Sequence, residues 1–326
     1  MKVLATGGAG YVGSHCVRRL LAAGHEVVVY DDLSSGHAGS VPQGVQLVRA
    51  DLADQRSLSA ALCGCEAVMH FAAFLDVGES VREPLKYYEN NVVNSVRLLK
   101  LMRENGVRRF VFSSTCATYG EPANLPITED MPQSPINPYG HTKLAMEWAL
   151  RDSATAWGLG ACALRYFNAA GAAADGSIGE DHDPEIHLIP VVLQVALGQR
   201  ENVKIFGTDY PTPDGTCIRD YVHVEDLAEA HLLALEALRD GRFDAYNVGT
   251  GVGTSVRELI EAARQVTGHA ISAIETDRRA GDPPRLFADP ARIQAALGWS
   301  PRYTRIADTI STAWAWHQAH PAGYND

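Results

Sequence analysis

Val3-Leu4-Ala5-Thr6-Gly7-Gly8-Ala9-Gly10-Tyr11-Val12-Gly13 is a short apolar run that stops on a glycine-rich turn. Helical spacing follows from Ser14 to about Ala23, closed by Gly24, and Glu26-Val27-Val28-Val29-Tyr30 then ends on Asp31-Asp32. Strand, glycine turn, helix, strand and acid within about thirty residues form a dinucleotide-binding fingerprint in its full context. Gly7 and Gly8 permit the tight turn, Gly10 lets the backbone approach a pyrophosphate, and Gly13 lets helix and strand pack closely. The pyrophosphate would rest on the helix N-terminus, where free amides and the dipole favour an anion. Asp31 is placed to accept from the adenosine ribose hydroxyls. A carboxylate there repels a 2′-phosphate, and Ser34 and Ser35 supply no arginine to attract one. The expected cofactor is therefore NAD rather than NADP.

The alternation continues outward from this unit. Val45 to Asp51 reads as a strand, with Asp51 and Leu52 at its end to hold the adenine. Glu66 to Ala73 is the next strand, and Phe71, Ala72 and Ala73 sit at its carboxyl end, where a dinucleotide passes. Asn90 begins a helix to about Glu104, Arg108 to Thr115 is a further strand, and Ala161 to Asn168 another. This pattern predicts an α/β fold, a Rossmann-type doubly wound parallel sheet with a smaller C-terminal substrate domain. We place the NAD unit at 1–170 and the nucleotide-sugar unit at 171–326, with a segment around 217–250 returning to the first. Within the second, Leu188 to Gly198, Leu227 to Leu238 and Ser255 to Thr267 read as helices. Val203 to Phe206, Ala245 to Val248 and Ile271 to Glu275 read as strands, and Arg278 to Pro284 as a basic loop.

Asn137-Pro138-Tyr139-Gly140-His141-Thr142-Lys143 carries the chemistry. Asn then Pro reads as a helix N-cap and first helical position. Tyr139 and Lys143 then share one face, a turn apart. Bringing a phenol from its usual pKa of about 10 to near 7 takes roughly 4 kcal/mol of preferential phenolate stabilisation, and a neighbouring cation is one source. Thr115, at a strand end on the ligand edge, is expected to converge on Tyr139.

Composition narrows the partners. The 326 residues carry a net charge of −11, which argues against nucleic acid or an anionic membrane as partner. No apolar run approaches the roughly 20 residues that span a bilayer, and the N-terminus reads as a strand rather than a signal peptide. Six scattered cysteines without a repeated C-x-x-C fit a reduced, cytoplasmic protein.

Together, Thr6 to His15, Phe112-Ser113-Ser114-Thr115, Tyr139 to Lys143 and Arg165-Tyr166-Phe167-Asn168 resemble the extended short-chain dehydrogenase/reductase family. Later segments narrow the resemblance to its UDP-glucose 4-epimerase branch: Gly179-Glu180-Asp181, Ile205 to Thr212, Arg219 to Val224, Tyr246 to Gly249 and His320 to Tyr324. The resemblance implies an isomerase that interconverts UDP-galactose and UDP-glucose through a 4-ketose. Tyr139 is then the base, Lys143 lowers its pKa and holds the nicotinamide ribose, and Thr115 hydrogen-bonds the sugar. It implies cofactor contacts from Gly7, Gly10, Tyr11, Val12, Gly13, Asp31, Asp32, Asp51, Leu52, Phe71, Ala72, Ala73, Asn90, Ser113, Tyr139, Lys143 and Tyr166. For the UDP-hexose it implies Thr115, Asn168, His187, Leu188, Lys204, Phe206, Arg219, Tyr221, Val256, Arg279 and Asp282. Some relatives carry Asn where this chain has His187. It also implies a homodimer through helices near 90–104 and 140–156.

Several features have duller readings. Cys116 beside Thr115 reads as a packed thiol. Asp181-His182-Asp183 with His187 looks like a ligand set, but it lies in a polar loop without an i, i+4 histidine pair, so no metal is expected. Trp314 and Trp316 read as packing residues. Among rivals, a dehydratase would need an acid pair after Thr115, where this chain has Cys116-Ala117. A net dehydrogenase and a non-catalytic NAD sensor are separated from an epimerase by turnover. Leu286 stands where some relatives have a bulky Tyr, which points to tolerance of UDP-N-acetylhexosamines.

Overall fold

In the computed structural model, which describes residues 1–279 and 282–324, the first half of the chain alternates strands and helices, except that a 3-10 turn at Ala38–Ser40 joins the second strand to the third. β1 (Lys2–Thr6), α1 (Tyr11–Ala22), β2 (Glu26–Asp31), β3 (Gln46–Arg49), α2 (Gln55–Leu62) and β4 (Ala67–His70) come first. Two short helices, α3 (Val77–Arg82) and α4 (Pro84–Tyr87), lead through a π-helical turn at Tyr88–Asn94 into α5 (Ser95–Glu104). β5 (Arg109–Thr115), α6 (Pro138–Trp157) and β6 (Gly160–Tyr166) follow.

The chain then leaves this sheet. β7 (Asn168–Ala170), α7 (Leu188–Ala196), β8 (Val203–Phe206) and β9 (Ile218–His223) precede α8 (Val224–Ala237) and β10 (Phe243–Val248). β11 (Gly253–Ser255), α9 (Val256–Thr267), β12 (Ala273–Thr276), β13 (Arg285–Leu286), α10 (Ala291–Leu297) and α11 (Ile306–Ala319) complete it. Residues 280–281 of the expected basic loop lie outside the described residues.

The main sheet is parallel throughout, in the order β3-β2-β1-β4-β5-β6-β10. Its strands are apolar on both sides because helices cover both faces. Val3, Ala5, Val27 and Val29 join residues of α1 and α8 in one core, and Leu4, Val28, Phe110 and Phe112 join α2, α5 and α6 in the other. A third core packs α7, α9 and α11. The strand order reverses between β1 and β4, where such sheets open a crevice at their carboxyl ends.

Three sequence expectations are corrected. The first helix starts at Tyr11, not Ser14, because Gly10 is already its extended N-cap. The helix expected from Asn90 is π-helical over its first turns; there Asn91 turns its side chain to Phe74, accepting from the amide and donating to the carbonyl. The strand expected from Ala161 to Asn168 is two strands. It breaks at Phe167, and Asn168 to Ala170 pairs with Tyr221 to His223 of β9 in the small sheet. That break carries one continuous stretch of chain from the large sheet to the small one.

Candidate active site

The glycine turn is built by contacts that exclude side chains at some positions and not at others. A Cβ on Gly7 would lie 2.4 Å from the Ala72 amide nitrogen, and Gly7 has φ of +71°. A Cβ on Gly13 would lie 2.1 Å from the Gly7 carbonyl oxygen. Gly10 is different: its Cβ would meet only the Gly7 oxygen, at 3.4 Å. Packing demands Gly7 and Gly13, whereas Gly10 borders open space at the start of α1, where a pyrophosphate would lie.

Asp31 is 7 % exposed, and its two oxygens accept from the Ala9 and Leu33 amides, each at 2.9 Å. Burial raises its pKa while those amides oppose the rise. The carboxylate is thus held against the turn with lone pairs left for ribose hydroxyls. Asp32 and Asp51 are exposed and Leu52 is buried beside them; Phe71, Ala72 and Ala73 are half-buried at the end of β4. Tyr11 donates to the Gly171 carbonyl at 2.6 Å, tying the turn to the segment after β7. Asn90 donates to Asn91 at 3.0 Å within the π-helical turn. These positions fit a dinucleotide laid across the sheet's carboxyl edge.

At the mouth of this crevice, α6 presents Tyr139 and Lys143. Asn137 caps the helix, its side chain accepting from the Gly140 amide at 2.9 Å, and Pro138 is the first helical residue. Gly140 sets the approach. A Cβ there would lie 2.7 Å from the Ala117 oxygen and 2.8 Å from Pro135 Cβ, so the first turn of α6 presses onto the chain just after Thr115. Tyr139 and Thr115 are thereby brought side by side.

Lys143 Nζ donates to the Ser113 carbonyl at 2.8 Å and lies 5.8 Å from the Tyr139 ring centre. Ser113 Oγ in turn hydrogen-bonds the Tyr166 hydroxyl at 2.5 Å. Burial pulls the Lys143 ammonium down to about 7. Burial, helped by Tyr166, pushes the Tyr139 phenol up, while the Thr115 side chain pulls it back. The chain on its own therefore keeps the phenol protonated, and a further positive charge in the crevice is what a phenolate requires. Burial also pushes the Cys116 thiol up to about 12, consistent with a neutral packed residue.

The small sheet gathers the other candidates. Asn168 of β7 lies opposite Tyr221 of β9, and Leu286 of β13 lies opposite Arg219. Arg219 reaches Asp282 at 3.4 Å and donates to the Pro283 carbonyl at 2.9 Å. Arg279 stacks its guanidinium on Phe206, 4.4 Å from the ring centre, and Lys204 is exposed on the same strand. Val256 opens α9 and Leu188 opens α7. His187 departs from this group: its Nδ1 lies 2.7 Å from Glu180. Although burial alone would lower its pKa, the charges of Glu180 and Glu185 raise it to about 10.

Sequence reasoning missed the support behind α6. Arg165 on β6 holds Glu147 through Nε and Nη2, at 3.0 and 2.6 Å, with both side chains almost fully buried. Ser114 donates to Glu147, and Tyr119 links Arg165 to Asn247. The available signal was Glu147 four residues after Lys143, on the same helix face.

The model of the NAD dependent epimerase/dehydratase family matches residues 3–249. A UDP-glucose 4-epimerase of Halalkalibacterium halodurans is 53% identical, covering 100% of this chain and 98% of that protein. The crystal structure of UDP-glucose 4-epimerase from Brucella ovis in complex with NAD has a TM-score of 0.92 and 48% identity, covering 96% of this chain and 97% of that one. That of UDP-glucose 4-epimerase from Bifidobacterium longum in complex with NAD+ and UDP has a TM-score of 0.95 and 36% identity, covering 99% and 100%.

Proposed function

The chain belongs to the NAD dependent epimerase/dehydratase family, and on that premise we propose that Tyr139, Lys143 and Thr115 perform the interconversion of UDP-galactose and UDP-glucose. The activity is that of an NAD-using isomerase. The observation that carries the residue assignment is the close approach at Gly140, which sets Tyr139 beside Thr115 while Lys143 reaches the Ser113 carbonyl on the same strand end.

C4 of a hexose bears no acidifying neighbour, so direct proton removal there is hard. The chemistry NAD+ supplies when bound is a reversible acceptor for hydride at that carbon, together with a fixed positive charge. Gly7, Gly10, Gly13, Asp31 and Lys143 would hold it. Tyr139 takes the O4 proton as the C4–H bond breaks, keeps it on the phenol oxygen, and returns it once the 4-ketose has turned its other face. Thr115 orients O4 and passes or steadies that proton. Lys143 is anchored by the Ser113 carbonyl, which leaves its remaining N–H bonds for a ribose and its charge beside Tyr139.

On the nucleotide side, Arg219 and Arg279 suit the pyrophosphate and Phe206 the uracil. Asn168, Leu188, Lys204, Tyr221, Val256 and Asp282 complete that side, and His187 contributes through its position as the cap of α7. Firm hold on UDP with loose hold on the sugar is what the ketose rotation needs. We divide the chain into an NAD unit at 1–170 and a sugar-nucleotide unit at 171–326, with 217–250 rejoining the first; β10 beside β6 supports this. A homodimer through helices near 90–104 and 140–156 is supported by exposed Val93 in the π-helical turn, Val96 in α5 and Trp148 in α6. No helix among the described residues is long and apolar enough to cross a membrane, and we place the enzyme in the cytoplasm.

The deciding experiment gives the purified chain UDP-galactose without added NAD and looks for UDP-glucose. Product formed by protein that carries its own NAD is the expected result. A protein that holds NAD and both sugars yet yields no product overturns the assignment.

A further inference from the structure

We propose that Glu180, His182, Glu185 and His187 form a site for one divalent transition-metal cation of the zinc type. The four residues come from one eight-residue run, and each offers a ligand atom within 4.8 Å of all the others. In the sequence the two histidines group with Asp181 and Asp183, where no metal is expected. The fold instead turns Glu180 and Glu185 onto them.

The spacing is that of a coordination shell. His182 Nδ1 lies 3.5 Å from Glu180 Oε1 and 3.6 Å from Glu185 Oε2. His187 Nδ1 lies 2.7 Å from Glu180 Oε1 and 3.5 Å from Glu185 Oε1. Nitrogen and oxygen ligands at zinc's usual bond lengths stand roughly 3.3 Å apart at the corners of a tetrahedron. The two separations from His182 lie just above that value, the His187–Glu180 contact would open by about 0.6 Å to reach it, and the His187–Glu185 contact is to Oε1 rather than to Oε2.

The atoms converge as close ion contacts without well-formed hydrogen bonds. Glu180 Oε1, His182 Nδ1 and His187 Nδ1 are all buried and lack a hydrogen-bond partner of acceptable geometry, and Glu180 is only 4 % exposed. Buried polar atoms are almost always satisfied, so three orphans around one point call for a group that satisfies them together. Glu185 is already oriented for such a group. Its Oε1 accepts from the Ile186 and His187 amides at 2.8 Å each, which leaves Oε2 towards His182.

Charge and donor type identify the ion. Two carboxylates balance a 2+ charge once the ion displaces the proton that the glutamates favour on each imidazole in its absence. Imidazole suits zinc and its neighbours, whereas calcium and magnesium prefer oxygen alone. Four ligands from the protein close the shell, the arrangement of a structural site. The site takes no part in the proton and hydride transfer and does not depend on the epimerase reading; His187 also stands on the nucleotide side, as the cap of α7.

Its position gives it a structural role. Gly179, one residue before the site, packs on Trp316 of α11, where a Cβ would fall 2.3 Å from the ring, and the Gly179 amide donates to the Tyr324 hydroxyl at 3.1 Å. His182 meets the ring of Tyr11, on the glycine turn, edge-on at 6.4 Å. His187 is the N-cap of α7. One cation would therefore pin the glycine turn, the last helix and the nucleotide-facing end of α7 to a single loop.

The test uses full-length protein purified without added metal and dialysed against a chelator. Titration with Co2+ should give the visible absorption of a four-coordinate site, saturating at one equivalent per chain, and Zn2+ should displace it and raise the thermal midpoint. Glu180→Gln with His182→Gln should abolish both effects, while Tyr139→Phe, which lacks only the proposed base, should retain them. If the wild-type chain shows no four-coordinate cobalt spectrum, or binds zinc no better than the double variant, the four groups are a metal-free ion cluster and the proposal falls. The wild-type titration decides this even if the double variant does not fold.

Discussion

Arg165 and Glu147 form a doubly hydrogen-bonded ion pair, 3 % and 0 % exposed, that joins β6 to the face of α6 one turn beyond Lys143. Ser114 and Gln133 donate to the same carboxylate, and Tyr119 accepts from the guanidinium. The pair braces α6, the helix that carries the proposed base Tyr139.

Removing one partner leaves a buried charge uncompensated, which typically costs about 3–5 kcal/mol. Glu147→Ala should lose stability on that scale in urea denaturation. Replacing both residues by Met should cost less than the single change, and a larger loss for the pair would contradict a positioning role.

Gly10 and Gly13 should separate folding from cofactor binding. Gly13→Ala places a methyl against the Gly7 oxygen and should lower both stability and NAD content. Gly10→Ala meets open space, so it should leave the thermal midpoint of the NAD-free chain almost unchanged while reducing the NAD that co-purifies. Equal NAD content in Gly10→Ala and wild type would show that the pyrophosphate lies elsewhere.

Tyr139→Phe removes the proposed proton acceptor and little volume. General acid–base groups typically contribute about 10²–10⁴-fold. Turnover should fall by that order while NAD and UDP binding persist; near-normal turnover would remove Tyr139 from its role.

Lys143 sets a pH dependence. Its pKa is about 7 in the folded, NAD-free chain and about 10.4 when unfolded. Between those values the unfolded chain binds the extra proton, so stability rises with pH; below about 7 the full cost of the buried ammonium is present. The NAD-free protein should gain on the order of 3 kcal/mol between about pH 7 and 9.5, and Lys143→Met should not. Urea midpoints at the two pH values measure the difference.

Leu286 is half-buried beside Arg219 in the small sheet. Leu286→Tyr should lower the rate on UDP-N-acetylhexosamines relative to UDP-glucose. An unchanged ratio would place the acetyl-accepting wall at another residue.

Much of the site was legible before folding because its signals are local. The N-cap Asn137, Pro138 at the first helical position, and the Tyr139–Lys143 interval depend on one turn of helix. The glycine turn and Asp31 depend on thirty residues of chain. The strand from Ala161 was misread as continuous because Asn168 changes sheets only when β9, more than fifty residues later, supplies its partner. Nothing near Glu147 in the sequence marks it as buried; that follows only from Arg165, eighteen residues later, closing over it.

Sequence alone determined the dinucleotide fold, the choice of NAD and the phenol–ammonium pair, since backbone conformation and neighbour spacing decide those within a few residues. Tertiary structure alone decided that Glu180 and Glu185, rather than Asp181 and Asp183, face the two histidines. That choice depends on which side chains the turn buries against Trp316 and Tyr11. Burial is settled by packing between distant segments, and no short stretch of sequence encodes it.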